Sequence, residues 1–307
     1  MMNRRAFVRA SALIAALAAF PGVVHGQEKL KVVTSFSILA DLTKNVGGER
    51  VEVSALVGPG GDAHVYTPTP ADARNVAAAK LVIVNGLGFE GWLSRLVKSA
   101  GNKATLITAT KGIAPRKEKA DAHGHKHSHD ADEADPHAWQ SVANAKIYVA
   151  NIRDALVAAD ASGADAYRKN AEGYLAKLDT LDSEVREAVA KLPAERRKVI
   201  STHDAFGYFA DAYGITFIAP QGVSTEAEAT ARDVARIISQ IKAQKIPAVF
   251  LENVSDPRLM RRISQESGAR LGGTLFSDAL TDEKGAAPTY IDMIRYNIKA
   301  LTGALAD

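Results

Sequence analysis

The apolar positions of this 307-residue chain change their spacing along the sequence, and the changes predict its elements. Short β-branched runs predict four strands in the first half, namely "KVVTSF", "VEVSAL", "LVIVNG" and "ATLIT". Apolar steps of three and four residues predict helices between them, at 38–46, 70–79 and 91–98. Strands that alternate with helices in this way indicate an α/β fold with mainly parallel sheets.

The second half repeats the same order of elements. Its predicted strands are "KVIST", "ITFIA", "AVFLE" and "GTLF", and its predicted helices are 205–213, 226–243, 257–268 and one from Pro288. The openings of the two halves also echo each other, with "KVVTSFSIL" at 31–39 against "KVISTHDAF" at 198–206. Together these features favour a repeated lobe.

A long helical pattern separates the two halves. Its apolar residues recur at three- and four-residue steps: Tyr167, Ala171, Tyr174, Leu175, Leu178, Leu181, Val185, Val189 and Leu192. Pro193 ends the pattern, and at about 1.5 Å per residue such a helix is about 40 Å long. We therefore predict two (β/α) lobes, 27–160 and 193–307, joined by one rigid linking helix at 161–192.

The N-terminal segment predicts export. Arg4 and Arg5 precede an apolar run, "SALIAALAAF", that is too short for a membrane span, so residues 1–26 are interpreted as a signal peptide. The paired arginines favour the twin-arginine route, with an ordinary secretory signal as the alternative. We expect a soluble periplasmic protein. Because the sequence has no cysteine, we also expect no lipid anchor, disulfide or thiolate metal site.

The charge balance excludes one class of partner. Residues 1–26 contain three arginines and no acidic residue, so removing them lowers the basic count from 38 to 35, against 35 acidic residues. The remaining chain has no excess of positive charge, and we expect no nucleic acid partner.

One segment is of low complexity: "PRKEKADAHGHKHSHDADEAD", at 115–135. It has almost no apolar residue that could support packing, so we expect a mobile loop. Four of its polar positions are the alternating histidines His123, His125, His127 and His129.

Candidate metal ligands follow from the predicted strand ends, where open α/β sheets bind ligands. His203 and Asp278 come directly after predicted strands, His64 lies in a Gly/Pro-rich turn, and His137 stands in "DPHAWQS". Two candidates from each half suit one site in a cleft between two lobes. Taken singly, a histidine in a turn can be a surface residue, and Asp278 can be a helix N-cap.

The motifs that contain these residues resemble a known family. The segments are "DAHVYTPTPAD", "NGLGFEGWL", "DPHAWQS", "STHDAFGYFADAYG", "ENVSDPRL" and "LFSDAL". In this order they resemble the metal-binding solute receptors of zinc and manganese ABC importers, over essentially the whole chain after the signal peptide. The resemblance implies one buried metal between two lobes, with ligands at His64, His137, His203 and Asp278. The chain departs from the family pattern at Ala229, where relatives often have proline.

The resemblance leaves the metal and the His-rich loop to be interpreted. Three imidazoles and one carboxylate match a tetrahedral zinc site, whereas manganese prefers more oxygen ligands. Manganese-carrying members of the family typically have a carboxylate where this chain has His203, so we expect Zn²⁺, with Mn²⁺ as the alternative. We interpret the four loop histidines as an accessory capture site. Alternatively, they bind zinc only incidentally.

Three functions remain to be weighed. We expect a monomeric receptor that delivers Zn²⁺ to an ABC permease in the inner membrane, with a periplasmic metallochaperone as a second candidate partner. A manganese receptor of the same family is one alternative function. A periplasmic metallochaperone needs the same site and cannot be distinguished by sequence. A zinc hydrolase needs an open coordination position and a general base, but the H-E-x-x-H signature is absent, and Glu90 and Glu252 look structural. We therefore expect no enzyme.

Overall fold

The computed structural model describes residues 28–101, 104–117 and 134–306. The predicted signal peptide (1–26) lies outside the described residues. So does most of the His-rich segment, including all four of its histidines. Among the residues that are described, no helix is both long enough and apolar enough to cross a membrane.

The first lobe is built on a four-stranded parallel sheet. Its strands are β1 (Leu30–Phe36), β2 (Val51–Val57), β3 (Leu81–Val84) and β4 (Thr105–Thr108), in the order β2-β1-β3-β4. The helices between them are α1 (Ser37–Gly47), α2 (Pro70–Ala78) and α3 (Leu93–Ser99). The strand β3 is buried along its whole length, which explains its continuous apolar run, since a parallel sheet is usually covered on both faces.

Two long helices follow the first sheet. They are α4 (Val142–Ala159) and α5 (Ala164–Ala190), and α5 is 27 residues long. The buried face of α5 consists of Tyr167, Ala171, Tyr174, Leu178, Leu181, Val185 and Val189. These residues belong to the apolar set that the sequence pattern predicts for the linking helix.

The second lobe repeats the architecture of the first. Its strands are β5 (Lys198–Ile200), β6 (Thr216–Ile218), β7 (Ala248–Glu252) and β8 (Arg270–Leu275), in the order β6-β5-β7-β8, all parallel. Its helices are α6 (Gly207–Tyr213), α7 (Ala231–Gln244), α8 (Pro257–Ser267) and α9 (Tyr290–Leu305). The α/β class with two parallel-sheet lobes and a long helix is confirmed.

One helix begins later than its apolar pattern predicts. We expected a helix from residue 226, but α7 begins after Thr230, whose side chain accepts a hydrogen bond from the backbone of Asp233. The Asp233 side chain in turn accepts one from the backbone N–H of Thr230. This reciprocal capping box satisfies two N–H groups at the start of the helix and so determines where the helix begins.

The helix α5 connects the lobes through packing. It contacts α1 and α4 of the first lobe and α9 of the second. One continuous hydrophobic core runs from the first sheet through α5 to α9, and a smaller core lies under α7 and α8. The two lobes are therefore held together by buried apolar surface as well as by the chain.

Candidate metal centre

Four side chains converge between the lobes. His203 and Asp278 each lie three residues after the end of a strand, β5 and β8 respectively. His64 comes from the connection between β2 and α2, and His137 immediately precedes a short 3-10 helix, Ala138–Gln140, before α4. One ligand atom from each residue lies within 4.8 Å of the others. The structure thus brings together the four residues that the sequence singled out.

The distances between these atoms suit a small cation. The Nε2 atom of His137 lies 3.3 Å from that of His64 and 3.4 Å from that of His203. Asp278 Oδ2 is 3.4 Å from His64 Nε2 and 3.2 Å from His203 Nε2, and its Oδ1 is 3.6 Å from His137 Nε2. Zinc bonds of about 2.0–2.1 Å in a tetrahedron require ligand atoms about 3.3 Å apart. The observed separations match that spacing.

Asp278 is the negatively charged member of the four residues. Its side chain is fully buried, and the imidazole nitrogens of the three histidines are the partners of its two oxygens among the described residues. A buried carboxylate is costly unless it is paired with positive charge. Burial alone would raise the pKa of Asp278, but the imidazoles of His203 and His137 lower it well below its usual value. The group is therefore poised as an anion.

A second buried carboxylate orients His137. The Nδ1 atom of His137 lies 2.9 Å from Asp135 Oδ1, so that Nε2 faces the other ligands. Asp135 Oδ2 accepts a hydrogen bond of 3.1 Å from the guanidinium of Arg116, which also contacts Asp211 on α6. Tyr208, also on α6, donates to the backbone carbonyl of Asp135. Groups of the second lobe thus help to hold a ligand of the first.

A third carboxylate orients His203. Glu252, at the end of β7, contacts His203 Nδ1 through Oε2, while its Oε1 accepts from the backbone N–H groups of Thr202 at 2.7 Å and His203 at 3.0 Å. Burial lowers the pKa of His203, but the carboxylates of Glu252 and Asp278 outweigh this and raise it well above its usual value. Carboxylates behind metal-binding histidines fix the ring and increase its basicity.

His64 is held differently from the other two histidines. Its backbone N–H donates to Asp62, and its ring packs edge-on against Phe89 at 4.7 Å. In the described parts of the chain, no side chain bonds to its Nδ1 atom. His64 is 7% exposed, whereas His137 and His203 are fully buried. It is therefore the least constrained of the three imidazoles.

Aromatic packing and hydrogen bonds across the cleft close the site. The ring of Trp139 lies 5.2 Å from that of His137 and 5.0 Å from that of Phe89. Trp139 Nε1 and Gln140 Nε2 both donate to the carbonyl of Ser277, at 2.9 and 2.7 Å. Residues two and three positions after His137 are thereby bonded to the residue immediately before Asp278.

Sequence reasoning missed the supporting residues. The sequence indicates structural roles for Glu90 and Glu252, and Glu90 indeed caps strand ends, accepting hydrogen bonds from Ser35 and Asn85 at 2.6 Å each. Burial raises the pKa of Glu90. Glu252 has the additional contact with His203. The one local signal for Asp135 is its position two residues before His137 in "DPHAW".

Comparison with known proteins gives consistent matches over most of the chain. The model of the family described as "ZnuA: Zinc-uptake complex component A periplasmic" matches residues 32–304. The manganese-binding lipoprotein MntA of Halalkalibacterium halodurans is 36% identical over 286 residues, covering 93% of this chain and 91% of that protein. The iron-binding protein YfeA of Yersinia pestis is 34% identical over 274 residues, covering 89% of this chain and 86% of that protein.

Solved structures show the same architecture. The periplasmic zinc binding protein TroA of Treponema pallidum matches with a TM-score of 0.83 and 31% identity, covering 91% of this chain and all of that one. The manganese-bound periplasmic metal binding protein of Candidatus Liberibacter asiaticus matches with a TM-score of 0.80 and 31% identity, covering 90% and 100%. The expected absence of a lipid anchor is contradicted by relatives named as lipoproteins, although the present sequence has no cysteine.

Proposed function

The chain belongs to the ZnuA family of periplasmic metal-uptake components, the substrate-binding proteins of metal ABC transporters, and we propose that its cargo is Zn²⁺. His64, His137, His203 and Asp278 are the proposed ligands. The observation that carries the proposal is the set of buried atoms with separations of 3.2–3.6 Å. Three nitrogen donors and one oxygen donor at this spacing favour tetrahedral zinc.

A manganese receptor is the second candidate. Asp278 turns Oδ2 toward His64 and His203 but Oδ1 toward His137, so that both oxygens can reach one ion. A carboxylate that binds through both oxygens raises the coordination number and the share of oxygen ligands, which manganese prefers. Relatives named as manganese-binding, such as that of Halalkalibacterium halodurans, support the same alternative.

Competition experiments on the metal-free protein test the choice of metal. The measurement uses a variant without residues 118–133, so that the loop histidines do not contribute. We expect one ion per chain and a Kd for Zn²⁺ far below that for Mn²⁺, because affinities of nitrogen and oxygen sites generally rise from manganese to zinc. A tighter Kd for Mn²⁺ would overturn the zinc proposal and leave the manganese one.

Delivery to a membrane permease is the proposed use of the bound ion. Substrate-binding proteins of ABC importers deliver their cargo to a permease complex in the membrane. We propose that this chain is a monomer that acts in the periplasm. A metallochaperone that supplies other proteins would have the same site. Capture of the cognate permease by the zinc-loaded protein, with His203→Ala as the unloaded control, supports the transport role. Capture of soluble metalloproteins alone would support the chaperone role.

We propose that the His-rich segment captures zinc near the site. His123, His125, His127 and His129 lie outside the described residues, but both ends of the segment are placed. Lys117 and Ala134 form an antiparallel bridge, and the N–H of Asp135 donates to the carbonyl of Arg116 at 2.8 Å. The segment therefore starts and ends beside Asp135, which orients His137.

Deletion of residues 118–133 tests the capture role. We expect the weaker additional zinc sites to disappear while the tight Kd stays nearly unchanged, because His137 and its partners lie outside the deletion. Stopped-flow transfer from a weak chelator should become slower. Loss of the tight site would show that loop histidines are true ligands, and an unchanged transfer rate would show that they bind zinc only incidentally.

A further inference from the structure

The two carboxylates behind the ligand histidines differ in their surroundings. Asp135 contacts His137 with one oxygen and the guanidinium of Arg116 with the other. Glu252 contacts His203 with one oxygen and two backbone N–H groups with the other. Among the described residues, no lysine or arginine forms an ion pair with Glu252. Asp135 thus shares its charge with an arginine as well as a histidine, whereas the charged or titratable partner of Glu252 is the His203 imidazole.

The carboxylate of Glu252 lies in a buried part of the site. Glu252 is 3% exposed, and His203 and Asp278 are fully buried, so water screens their interactions poorly. Only the imidazole ring of His203 would separate the carboxylate of Glu252 from a bound ion. An Nδ1–H that donates to a carboxylate also makes Nε2 a more basic ligand. Of the three histidines, His203 is therefore the one whose supporting carboxylate forms no ion pair with a lysine or arginine among the described residues.

We propose that Glu252 is a specificity-determining residue of the metal site, which sets how well the site accepts Mn²⁺ beside Zn²⁺. Manganese is a harder ion that favours oxygen ligands and binds a given nitrogen and oxygen site less tightly than zinc. It depends more on negative charge near the site and less on the imidazole nitrogen itself. The Glu252–His203 pair supplies that charge from outside the ligand set. This inference rests on the proposed ligand role of His203.

The test is Glu252→Gln, which keeps the shape of the side chain and removes its charge. We expect Zn²⁺ affinity to fall by roughly 10- to 100-fold, the usual effect of losing a group behind a metal ligand. Mn²⁺ affinity should fall at least about tenfold further, so that the ratio of the two Kd values changes. A merely structural role would leave that ratio unchanged. Glu252→Asp keeps the charge. Its ratio of the two Kd values should therefore lie closer to the wild-type ratio than that of Glu252→Gln does.

Glu90→Gln is the matched control. Glu90 is likewise a buried acid that accepts backbone and side-chain hydrogen bonds at strand ends, but it contacts none of the four proposed ligands. We expect a similar loss of thermal stability with an unchanged ratio of Kd values. Equal losses of Zn²⁺ and Mn²⁺ affinity in Glu252→Gln would overturn the specificity role.

His203→Ala separates this inference from the proposed function. If that variant loses tight binding while Glu252→Gln keeps the wild-type ratio, only the role of Glu252 is wrong. If His203→Ala binds zinc as tightly as the wild type, the ligand assignment itself fails.

Discussion

The two lobes share one topology but supply their ligands in different ways. Both sheets have the same strand order, and each has a buried glutamate at its strand ends, Glu90 in the first lobe and Glu252 in the second. When the echoed segments are aligned, Phe36 of the first lobe stands opposite His203 of the second. Phe36 packs against Phe89 and Trp139, at 5.0 Å from each. The corresponding strand ends thus carry an aromatic packing residue, Phe36, in the first lobe and a proposed ligand, His203, in the second.

This difference determines what holds each ligand. His203 and Asp278 follow strands closely, so the second sheet fixes them. His64 and His137 come from connections, and His137 depends on bonds to the other lobe, from Trp139 and Gln140 to Ser277 and from Tyr208 to Asp135. The site is therefore complete only when the lobes are correctly packed. Substitutions that act on one lobe at a time can test this dependence.

The largest expected effect comes from Trp139→Ala. Removing a buried tryptophan typically costs about 3–5 kcal/mol of unfolding free energy. Here the ring that packs against His137 is lost as well. Denaturant unfolding of the metal-free protein measures the first effect and chelator competition the second. The matched variant is Phe209→Ala, a buried ring on α6 that contacts Tyr213 and Phe217. We expect similar destabilisation but much less loss of zinc affinity. Equal losses of affinity would mean that general destabilisation, not the ring that packs against His137, controls binding.

The second-largest expected effect is the loss of zinc affinity when a proposed ligand is removed from either lobe. His203→Ala should weaken zinc binding by more than about a hundredfold, beyond the roughly 10- to 100-fold loss expected when a supporting group is removed. It removes a ligand and also leaves Glu252 buried without its imidazole partner. His64→Ala should cost less, since His64 is the least constrained ring. Competition titrations of both variants decide the order, and a greater loss in His64→Ala would reverse our comparison of the lobes.

Zinc itself should stabilise the assembled pair of lobes. A ligand that binds only the folded state stabilises it by about 2.7 kcal/mol at a hundredfold excess over Kd. Because we expect the lower Kd for Zn²⁺, zinc should raise Tm more than manganese does at equal concentration. Asp278→Asn, which removes the second lobe's carboxylate, is the control and should show little shift with either ion. A larger shift with manganese in the wild type contradicts the proposed metal preference.

The sequence predicted the elements and the candidate residues better than the contacts that support them. The order of strands and helices follows from apolar spacing, because each strand or helix buries the apolar residues of its own segment. His203 and Asp278 were found because they follow strands, whereas the bond from Trp139 to Ser277 joins residues 138 positions apart. No local pattern encodes such a pair. The contact between Glu252 and His203 was missed for the same reason, and the roles of the loop histidines stay predictions.

The smallest expected effect concerns the pH dependence of another contact between the lobes. Asp41, on α1, accepts a hydrogen bond of 2.9 Å from the N–H of Tyr290, the first residue of α9. Burial raises the pKa of Asp41 from 3.8 to about 6, although the bonds from Tyr290 and Asn45 oppose the shift. Lys44 lowers this pKa and Asp292 raises it, and Tyr174 on α5 also faces Asp41.

The sign of the effect follows from the raised pKa. Between about pH 3.8 and 6 the folded protein binds the Asp41 proton more tightly than the unfolded chain does, so this group makes the protein less stable as the pH rises. A full shift of two pKa units corresponds to about 3 kcal/mol. The range from pH 4.5 to 6.5 covers only part of this shift, so we expect a change of about 2 kcal/mol. Asp41→Asn removes the buried charge and should gain this amount of unfolding free energy relative to the wild type across that range, as measured by urea unfolding at each pH.

Asp72→Asn is the control. Hydrogen bonds from Thr69 and Tyr66 lower the pKa of Asp72 against the effect of burial, so the stability contribution of Asp72 is lost only below about pH 3.8. If the stability curves of Asp41→Asn and the wild type run parallel from pH 4.5 to 6.5, ionisation of Asp41 does not influence the contact between α1 and α9.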